Sequence, residues 1–514
     1  MKTTQIDTIK NLFRAIVTAE KNNISDPYEY LEASRASSRR TFLKQAAVLG
    51  AAAILPSCSL FNKKTAPKIA IIGAGIAGLN AAWVLKQAGI QADIYEAGYR
   101  IGGRIFTTEN LLGQGLTTEM GAEFIDSNHA EMWRLIKQFN LPTIDLKSDV
   151  NCIRETYFFG GKHRSEKELL EALRPFSKKL QDDVEATEKD KKIFELFDNM
   201  PLDEYIESLG LTGWIKDLFT ASFTSEYGRD LHEQSALNLL TVLSSDFSHN
   251  QFSMYGESDE RFKIKGGNSL IIKSLEKELK PNIHLGEELM KVTKNENNSY
   301  TLTFLSKKNV VVNADIVIFA LPFTKLRSVD LTKANLPENK MYAIQNYQLG
   351  TNGKIFLGFN EPTWRKQPNA CFVGNAFTEQ FICGWDNSLL QEKNTAGYTI
   401  FYGGEEGNII GKLSDQELKN RFLNEMEIVF KGSKSTFNNN IFRYHWQENS
   451  LSLGSYTCFA PGHYTRILPH TQTTVEQLYF AGEHCSEEFQ GFMNGGAQSG
   501  REAAEAILKK IKNI

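Results

Sequence analysis

The chain has 514 residues, the length of roughly three average domains, and this excludes a small disulfide scaffold. Hydrophobic residues make up 41% and charged residues 23% of it, so the chain can bury a large core and global disorder is excluded. The formal charge of -3 does not point to nucleic acid or another polyanion. We therefore expect a small-molecule partner; the sequence does not indicate an oligomeric state.

The N-terminal segment carries the pattern of an export signal. Residues 38–44 contain the pair Arg39-Arg40 and precede an apolar run at 46–55, which resembles a twin-arginine signal. The run is too short to span a bilayer. It ends in Leu-Pro-Ser-Cys, which resembles a bacterial lipobox, so we expect a periplasmic protein or a lipoprotein anchored only through lipidated Cys58. The alternative is a cytosolic helical hairpin with a chance arginine pair.

The six cysteines form no Cys-x-x-Cys pair, so we predict neither a zinc site nor a dithiol redox motif and expect no metal. Buried free thiols are the simplest interpretation of these residues.

A dinucleotide-binding pattern follows the export signal. The β-branched run 68–72 leads into Gly73, Gly75 and Gly78, and residues 79–88 continue at helical spacing. This order predicts a strand, a tight turn and a helix. Gly73 allows the turn, Gly75 lets a pyrophosphate approach the backbone, and Gly78 lets the helix pack against the strand. The N-terminus of the helix would then face the phosphates.

The next segment distinguishes flavin from nicotinamide. A second predicted strand at 92–95 ends at Glu96, where a carboxylate is placed to accept hydrogen bonds from ribose hydroxyls. Residues 96–104 match Glu-x-x-x-Arg-x-Gly-Gly-Arg, an extension typical of flavin enzymes that resemble glutathione reductase and amine oxidases. In that resemblance Arg104 and the adjacent glycine contact the phosphates and the flavin. We expect FAD.

Four further stretches, at 119–122, 261–270, 314–322 and 478–504, resemble the flavin amine oxidase family in their order along the chain. The resemblance implies an α/β fold, in which a Rossmann-like FAD-binding domain is interleaved with a substrate-binding domain of mixed sheet and helices. The expected domains are an export signal and tether at 1–64, the FAD-binding domain at 65–129, 258–323 and 446–514, and the substrate-binding domain at 130–257 and 324–445.

The resemblance also implies cofactor contacts. Glu483 is expected to accept from the ribityl chain, and a helix that begins near Met493 is expected to direct its positive end at the flavin. Val292 is expected to meet adenine through its backbone. The full expected set is Gly73, Gly75, Ala77, Gly78, Glu96, Ala97, Gly103, Arg104, Gly121, Ala122, Glu123, Val292, Gly482, Glu483 and Met493.

Three residues match the family's catalytic positions. Lys354 corresponds to a lysine that holds a water near the flavin, and Tyr456 and Phe492 correspond to the two walls of an aromatic cage around the amine. Ser455 occupies the position where covalently flavinylated members carry cysteine. The resemblance therefore implies that FAD is held non-covalently.

Substrate choice depends on fewer residues. L-amino-acid oxidases of the family usually place an arginine where this chain has Phe124, which favours an amine without a carboxylate. Asp126 lies near the acidic residue that attracts cations in polyamine oxidases, and it is equally plausible as a helix cap. Trp446 is a further candidate for contact with the substrate. An arginine from another part of the chain, such as Arg443, could still bind a substrate carboxylate.

The expected activity is oxidation of a primary or secondary amine to an imine, with oxygen reduced to hydrogen peroxide. An L-amino-acid oxidase or tryptophan 2-monooxygenase is the alternative within the same chemistry. A desaturase or protoporphyrinogen-type oxidase is a more distant one. A flavin-binding scaffold without turnover is the alternative of a different class.

Overall fold

The computed structural model describes residues 67–149, 151–242, 258–307 and 310–512, with a few residues between 12 and 28. The predicted twin-arginine pattern, the apolar run and Cys58 lie outside the described residues. Two large sheets organise the described chain, one of five strands and one of seven. They correspond to the two predicted kinds of domain.

The five-stranded sheet, which we call the parallel sheet, pairs all its neighbours in parallel. Ile69 and Ile71 pack in one hydrophobic cluster and Ala70 and Ile72 in another, so both faces of this strand are buried. A continuous apolar run is what such burial requires. In spatial order the strands are Leu478–Phe480, Ile316–Phe319, Ile69–Ile72, Asp93–Glu96 and Ile283–Leu285.

Two helices pack closely at this sheet, Ile76–Gln87 and Met493–Lys512. The predicted strand, turn and helix are confirmed. Gly73 has a φ of +106°, and a Cβ atom on Gly78 would lie 2.0 Å from the Gly73 carbonyl oxygen, so no larger residue fits between strand and helix.

The seven-stranded sheet, which we call the mixed sheet, pairs its strands antiparallel except for one parallel pair. Its strand Gly353–Phe359 is buried along its whole length. The spatial order is Phe437–His445, Gly353–Phe359, Ala396–Tyr402, Ile382–Asp386, Phe372–Thr378, Ile153–Phe159 and Lys162–Arg164. The longer helices outside the parallel sheet are Ala130–Gln138, Glu166–Lys189, Lys191–Asn199, Leu202–Ser208, Trp214–Tyr227, Ser269–Leu279, Glu338–Asn346, Gly404–Lys412 and Asp415–Val429.

Smaller elements complete the described chain. A four-stranded sheet contains Glu288–Lys294, Tyr300–Leu305, Val310–Ala314 and Asp330–Lys333. Two strand pairs join Thr107–Glu109 to Thr117–Glu119 and Thr143–Asp145 to Phe262–Ile264. The short helices are Leu237–Leu240, Phe323–Leu326, Ser433–Thr436 and His463–Arg466.

The predicted α/β fold class is confirmed. Every strand of the parallel sheet lies within the ranges expected for the FAD-binding domain, and every strand of the mixed sheet lies within those expected for the substrate-binding domain. The domain boundaries themselves stay a prediction. No described helix is long and apolar enough to cross a membrane.

The expectation of free thiols is wrong for one pair, because Cys152 and Cys371 form a disulfide. Ile153 and Phe372 pair in two parallel strands, so the preceding cysteines are brought to a Cα–Cα distance of 4.7 Å. The two residues are 219 apart in sequence, and only the strand pairing brings them together. The other described cysteines, Cys383, Cys458 and Cys485, are free and buried.

The segment expected to act only as an address also contributes to the core. Leu12, Phe13 and Ile16 are buried in the hydrophobic cluster that includes Leu173 and Phe219. Their apolar side chains are removed from water, which is favourable while this segment remains attached to the chain.

Candidate active site

A large cavity lies at the carboxyl ends of the parallel strands, where ligands bind in open α/β sheets. Residues at the ends of these strands or within two positions after them line it, and so do residues of the mixed sheet. The cavity therefore lies where the two sheets approach each other. Its lining includes Gly73, Glu96, Ala320 and Gly482 from the parallel sheet side and Lys354 and Phe401 from the mixed sheet.

Glu96 fixes the turn at one end of the cavity. Its carboxylate oxygens accept hydrogen bonds from the backbone N–H groups of Ala74 and Gly98, each at 2.8 Å. The helix Ile76–Gln87 begins beside this turn and directs its N-terminus into the cavity. Its dipole and free N–H groups make this end suitable for a phosphate.

Gly75 tests whether a dinucleotide fits here. Its backbone torsions, φ of -75° and ψ of 178°, are accessible to any residue, so the conformation does not require glycine. A Cβ atom at this position would have no heavy atom within 4 Å. Gly75 lines the cavity, so the missing side chain leaves space over the helix N-terminus. This cradle fits the pyrophosphate of a dinucleotide such as FAD.

His484 provides a second test of fit. Its ring lines the cavity, is 1% exposed, and neither ring nitrogen has a hydrogen-bond partner among the described residues. Burial lowers the pKa of His484 to about 4, so the ring is neutral near pH 7 and offers one donor and one acceptor. A buried polar group without a partner is costly, and a polar ligand in the cavity would satisfy it.

Arg104 and Glu483 form an ion pair in the cavity wall. Arg104 donates to the Glu483 carboxylate at 2.8 Å and to the Ser455 carbonyl oxygen at 2.6 Å. The other Glu483 oxygen accepts from Thr457 and from the backbone of Gly491. Burial alone would raise the pKa of Glu483, but the Arg104 charge together with the other groups that face the carboxylate, including the Thr457 hydroxyl, holds the pKa below its usual value. Glu483 therefore stays charged.

Lys354 is held in a buried site of three acceptors. Its Nζ atom donates to the carbonyl oxygens of Glu119 at 3.0 Å and Gly121 at 2.8 Å, and to the Glu123 carboxylate at 2.8 Å. An ammonium has three N–H donors, and these contacts use all of them. A water could bond to charged Lys354 only by replacing one of these acceptors.

Glu123 bridges two lysines. Its second carboxylate oxygen accepts from Lys263 at 2.8 Å, and Lys263 also donates to the Asn387 carbonyl oxygen at 3.2 Å. Burial raises the pKa of Glu123, but the charges of Lys263 and Lys354 outweigh burial and lower it. Sequence analysis did not identify Lys263, although it lies within a motif that the family resemblance uses.

Aromatic side chains line the cavity beside Lys354. The Tyr456 hydroxyl donates to the Glu226 carbonyl oxygen at 2.5 Å, and the Phe492 ring packs edge-on against His129 at 5.0 Å. Trp446 donates through its indole nitrogen to the Met120 carbonyl oxygen at 3.0 Å. These contacts fix the orientations of three aromatic rings that line one cavity.

The remaining predicted site residues fall into two groups. Gly78 packs beneath the turn and does not line the cavity. The others line it: Ala77, Ala97, Gly103, Gly121, Ala122, Phe124 and Met493.

The cavity wall does not include Val292, so its expected backbone contact with adenine stays a prediction. Val292 is fully buried in the four-stranded sheet, opposite Leu302, and is absent from the cavity wall. Leu289, three residues earlier in the same strand, lines the cavity instead. The strand's position follows from sheet packing, which its sequence alone does not define.

Asp126 and Arg443 are also absent from the cavity wall. The Asp126 carboxylate accepts from the Glu260 backbone at 2.9 Å and lies 3.2 Å from the His129 ring, and His129 rather than Asp126 precedes the helix. The expected helix-cap role of Asp126 is therefore wrong, and its expected role in attracting a cationic substrate stays a prediction. Arg443 donates to the carbonyl oxygens of Ile410 and Leu413, so it supports a helix end rather than a ligand.

Glu119 gives the site a pH-dependent contribution to stability. Burial raises the pKa of Glu119 to about 7, against hydrogen bonds from Asn268 and Thr107. Between about pH 4.5 and 7 the folded chain holds a proton that the unfolded chain has lost, so the free energy of unfolding falls as pH rises. The free energy of unfolding of the parent protein is expected to differ between about pH 5 and 8 by on the order of 2–3 kcal/mol because of Glu119. Glu119→Gln is expected to remove this difference, as measured by urea unfolding at the two pH values.

The control is Glu417→Gln, because that carboxylate has a lowered pKa and does not titrate in this range. Equal pH slopes in Glu119→Gln and the parent protein would contradict the assignment.

Comparison with known proteins gives relatives over most of the chain. The L-amino-acid oxidase of Gloydius blomhoffii is 23% identical over 463 residues, covering 85% of this chain and 88% of the relative. Polyamine oxidase 3 of Oryza sativa subsp. japonica is 23% identical over 473 residues, covering 88% and 91%.

Solved structures show the same fold. Cyclohexylamine oxidase from Brevibacterium oxydans IH-35A superposes with a TM-score of 0.75 at 19% identity, covering 87% of this chain and 100% of that one. Putrescine oxidase bound to putrescine superposes with a TM-score of 0.72 at 18% identity, covering 86% of this chain and 99% of that one. Residues 76–508 match the family described as flavin containing amine oxidoreductase. The chain therefore belongs to this family, and it is a flavin-dependent oxidoreductase acting on amines.

Proposed function

We propose that the protein binds FAD non-covalently and oxidises a primary or secondary amine to an imine, with oxygen reduced to hydrogen peroxide. The observation that carries this proposal is the union, in one cavity, of the phosphate cradle at Gly75 with the aromatic rings of Tyr456 and Phe492 and the buried Lys354. The bound flavin supplies the acceptor for a hydride equivalent.

The chain's own residues place the amine and exclude water. Ring faces attract a cationic amine during its approach and exclude water around it, and the hydroxyl bond of Tyr456 keeps its ring in place. The helix Met493–Lys512 begins at the cavity and adds the positive end of its dipole. Rigid placement of this kind provides much of the acceleration when no strong base is required.

Non-covalent binding is supported by the residue at the family's attachment position. Ser455 has no thiol, and its hydroxyl donates to the Asn352 side chain at 2.6 Å. Cys458 and Cys485 do not line the cavity. Burial raises the pKa of the Cys485 thiol to about 12, which keeps it in the unreactive protonated form.

An L-amino-acid oxidase is the second candidate. Several relatives carry that name, including the one from Gloydius blomhoffii. A small second cavity lies beyond Phe124 and Trp385 and contains Arg154, whose Nε atom makes no hydrogen bond among the described residues and lies 3.8 Å from Glu155. A guanidinium at this position attracts the carboxylate of an amino-acid substrate, whereas the neighbouring acidic side chains repel it.

Anaerobic bleaching of the bound flavin separates these candidates. We expect monoamines or diamines to bleach the absorbance rapidly, and air to restore it with formation of hydrogen peroxide. Bleaching by L-amino acids alone would support the second candidate, and Arg154→Met should then abolish it. Flavin that no amine or amino acid reduces would contradict both and favour a desaturase or a scaffold without turnover.

Gly75→Val is expected to remove flavin without unfolding the chain, because the backbone there suits valine and its side chain would project into the cradle. We expect the flavin content of the purified protein to fall roughly tenfold or more. Gly161→Val is the control. A Cβ atom at this position meets open space outside the cavity, but the backbone φ of +72° is strained for valine. The control should have a lower unfolding temperature and retain flavin. Retention of flavin by Gly75→Val and its loss from Gly161→Val would contradict the proposed cradle.

We also propose export through the twin-arginine pathway, followed by lipidation at Cys58. The residues at 38–58 support this proposal, and so does the Cys152–Cys371 disulfide, since such bonds persist in oxidising compartments. Mass spectrometry of the protein from fractionated cells tests it. A periplasmic or membrane-bound chain beginning at acylated Cys58 is expected, and a cytoplasmic chain that retains residues 1–57 would contradict it.

A further inference from the structure

We propose that Glu123 and Lys263 are positioning residues for Lys354, and that the three side chains act as one fixed charge cluster that sets how readily the bound flavin accepts electrons. We call these three residues the lysine cluster. The inference rests on the proposed flavin site and adds to it two residues that do not act on the amine themselves.

The geometry of the lysine cluster is closed. Each oxygen of the Glu123 carboxylate accepts from one lysine at 2.8 Å. The side-chain exposures are 0% for Glu123, 1% for Lys354 and 7% for Lys263. Backbone carbonyl oxygens accept the other identified bonds of both ammonium groups. No member can turn away without leaving a buried charge unpaired.

Aromatic walls keep water from the lysine cluster. The Lys354 Nζ atom lies 5.2 Å from the centre of the Trp385 ring, and the Lys263 Nζ atom lies 5.7 Å from the centre of the Phe124 ring. Both distances allow a favourable interaction between a cation and a ring face. Charges in such a low-dielectric environment act on their neighbours more strongly than charges in water.

The lysine cluster carries one net positive charge, since two ammonium groups share one carboxylate. Glu119 is a further buried acid beside it, and because burial raises its pKa to about 7 it adds a negative charge only at higher pH. Lys354, Glu123, Gly121 and Ala122 all line the cavity. A flavin bound there gains negative charge on reduction, and a fixed positive charge at the cavity wall stabilises that state.

Two substitutions change this charge in opposite directions. Lys263→Met removes one positive charge and leaves the pair of Glu123 and Lys354 intact, so it should lower the midpoint potential of the bound flavin. Glu123→Gln leaves two cations and should raise it. Glu123 raises and Lys263 lowers the pKa of Glu119, so the measurements are made at about pH 5, well below its value of about 7, where Glu119 is protonated in all the proteins.

Sulfite provides an independent readout, because it adds to oxidised flavin and the product carries negative charge. We expect the dissociation constant of the sulfite adduct to rise several-fold in Lys263→Met and to fall several-fold in Glu123→Gln. Lys291→Met is the matched control, since Lys291 forms an ion pair with Asp330 at 2.8 Å on the surface. Neither the potential nor the sulfite affinity should change in this control.

A purely structural role would shift both variants in the same direction, through looser flavin binding, and would overturn the proposal. Unchanged potentials in both would also overturn it. If Glu123→Gln fails to fold, Lys263→Met decides alone: a lower potential with unchanged flavin affinity supports the proposal, and an unchanged potential or a shift that accompanies weaker flavin binding overturns it. Failure of the proposed function is distinguishable, since the parent protein would then lack flavin or remain oxidised with every amine.

Discussion

The shared carboxylate of Glu123 is the interaction on which the site depends most. It joins Lys354, from a fully buried strand of the mixed sheet, to Lys263, from a short strand beside the parallel sheet. Burying these charges separately would cost several kcal/mol for each ion, so they are stable only when the two sheets approach at this distance. The same contact therefore links the two sides of the cavity.

The two sides of the cavity supply different physical properties. The parallel sheet side contributes the N-termini of two helices, the open space beside Gly75 and the ion pair of Arg104 and Glu483, all suited to a charged, extended ligand. The opposite side contributes aromatic rings and a buried ammonium. A ligand that spans both sides needs a charged end and a flat, electron-accepting end, and a flavin dinucleotide has both.

Local sequence motifs predicted much of this arrangement. The strand, turn and helix around Gly73, the final helix at Met493 and the positions of Lys354 and Tyr456 follow from short patterns whose residues lie close together in sequence. Short motifs do not show where the packing of distant segments places a side chain. Val292 is turned into a sheet core, Asp126 is used by its neighbours, and Lys263 gained its role from a carboxylate 140 residues away.

The Cys152–Cys371 bond encloses more than a local contact. The covalent loop that it closes contains strands of both large sheets, including Ile316–Phe319 and Gly353–Phe359, as well as Lys263. A chain exported folded would acquire this bond after the cavity has been assembled and loaded. The disulfide would then stabilise a structure that has already formed, rather than restrict the conformations of the chain while it folds.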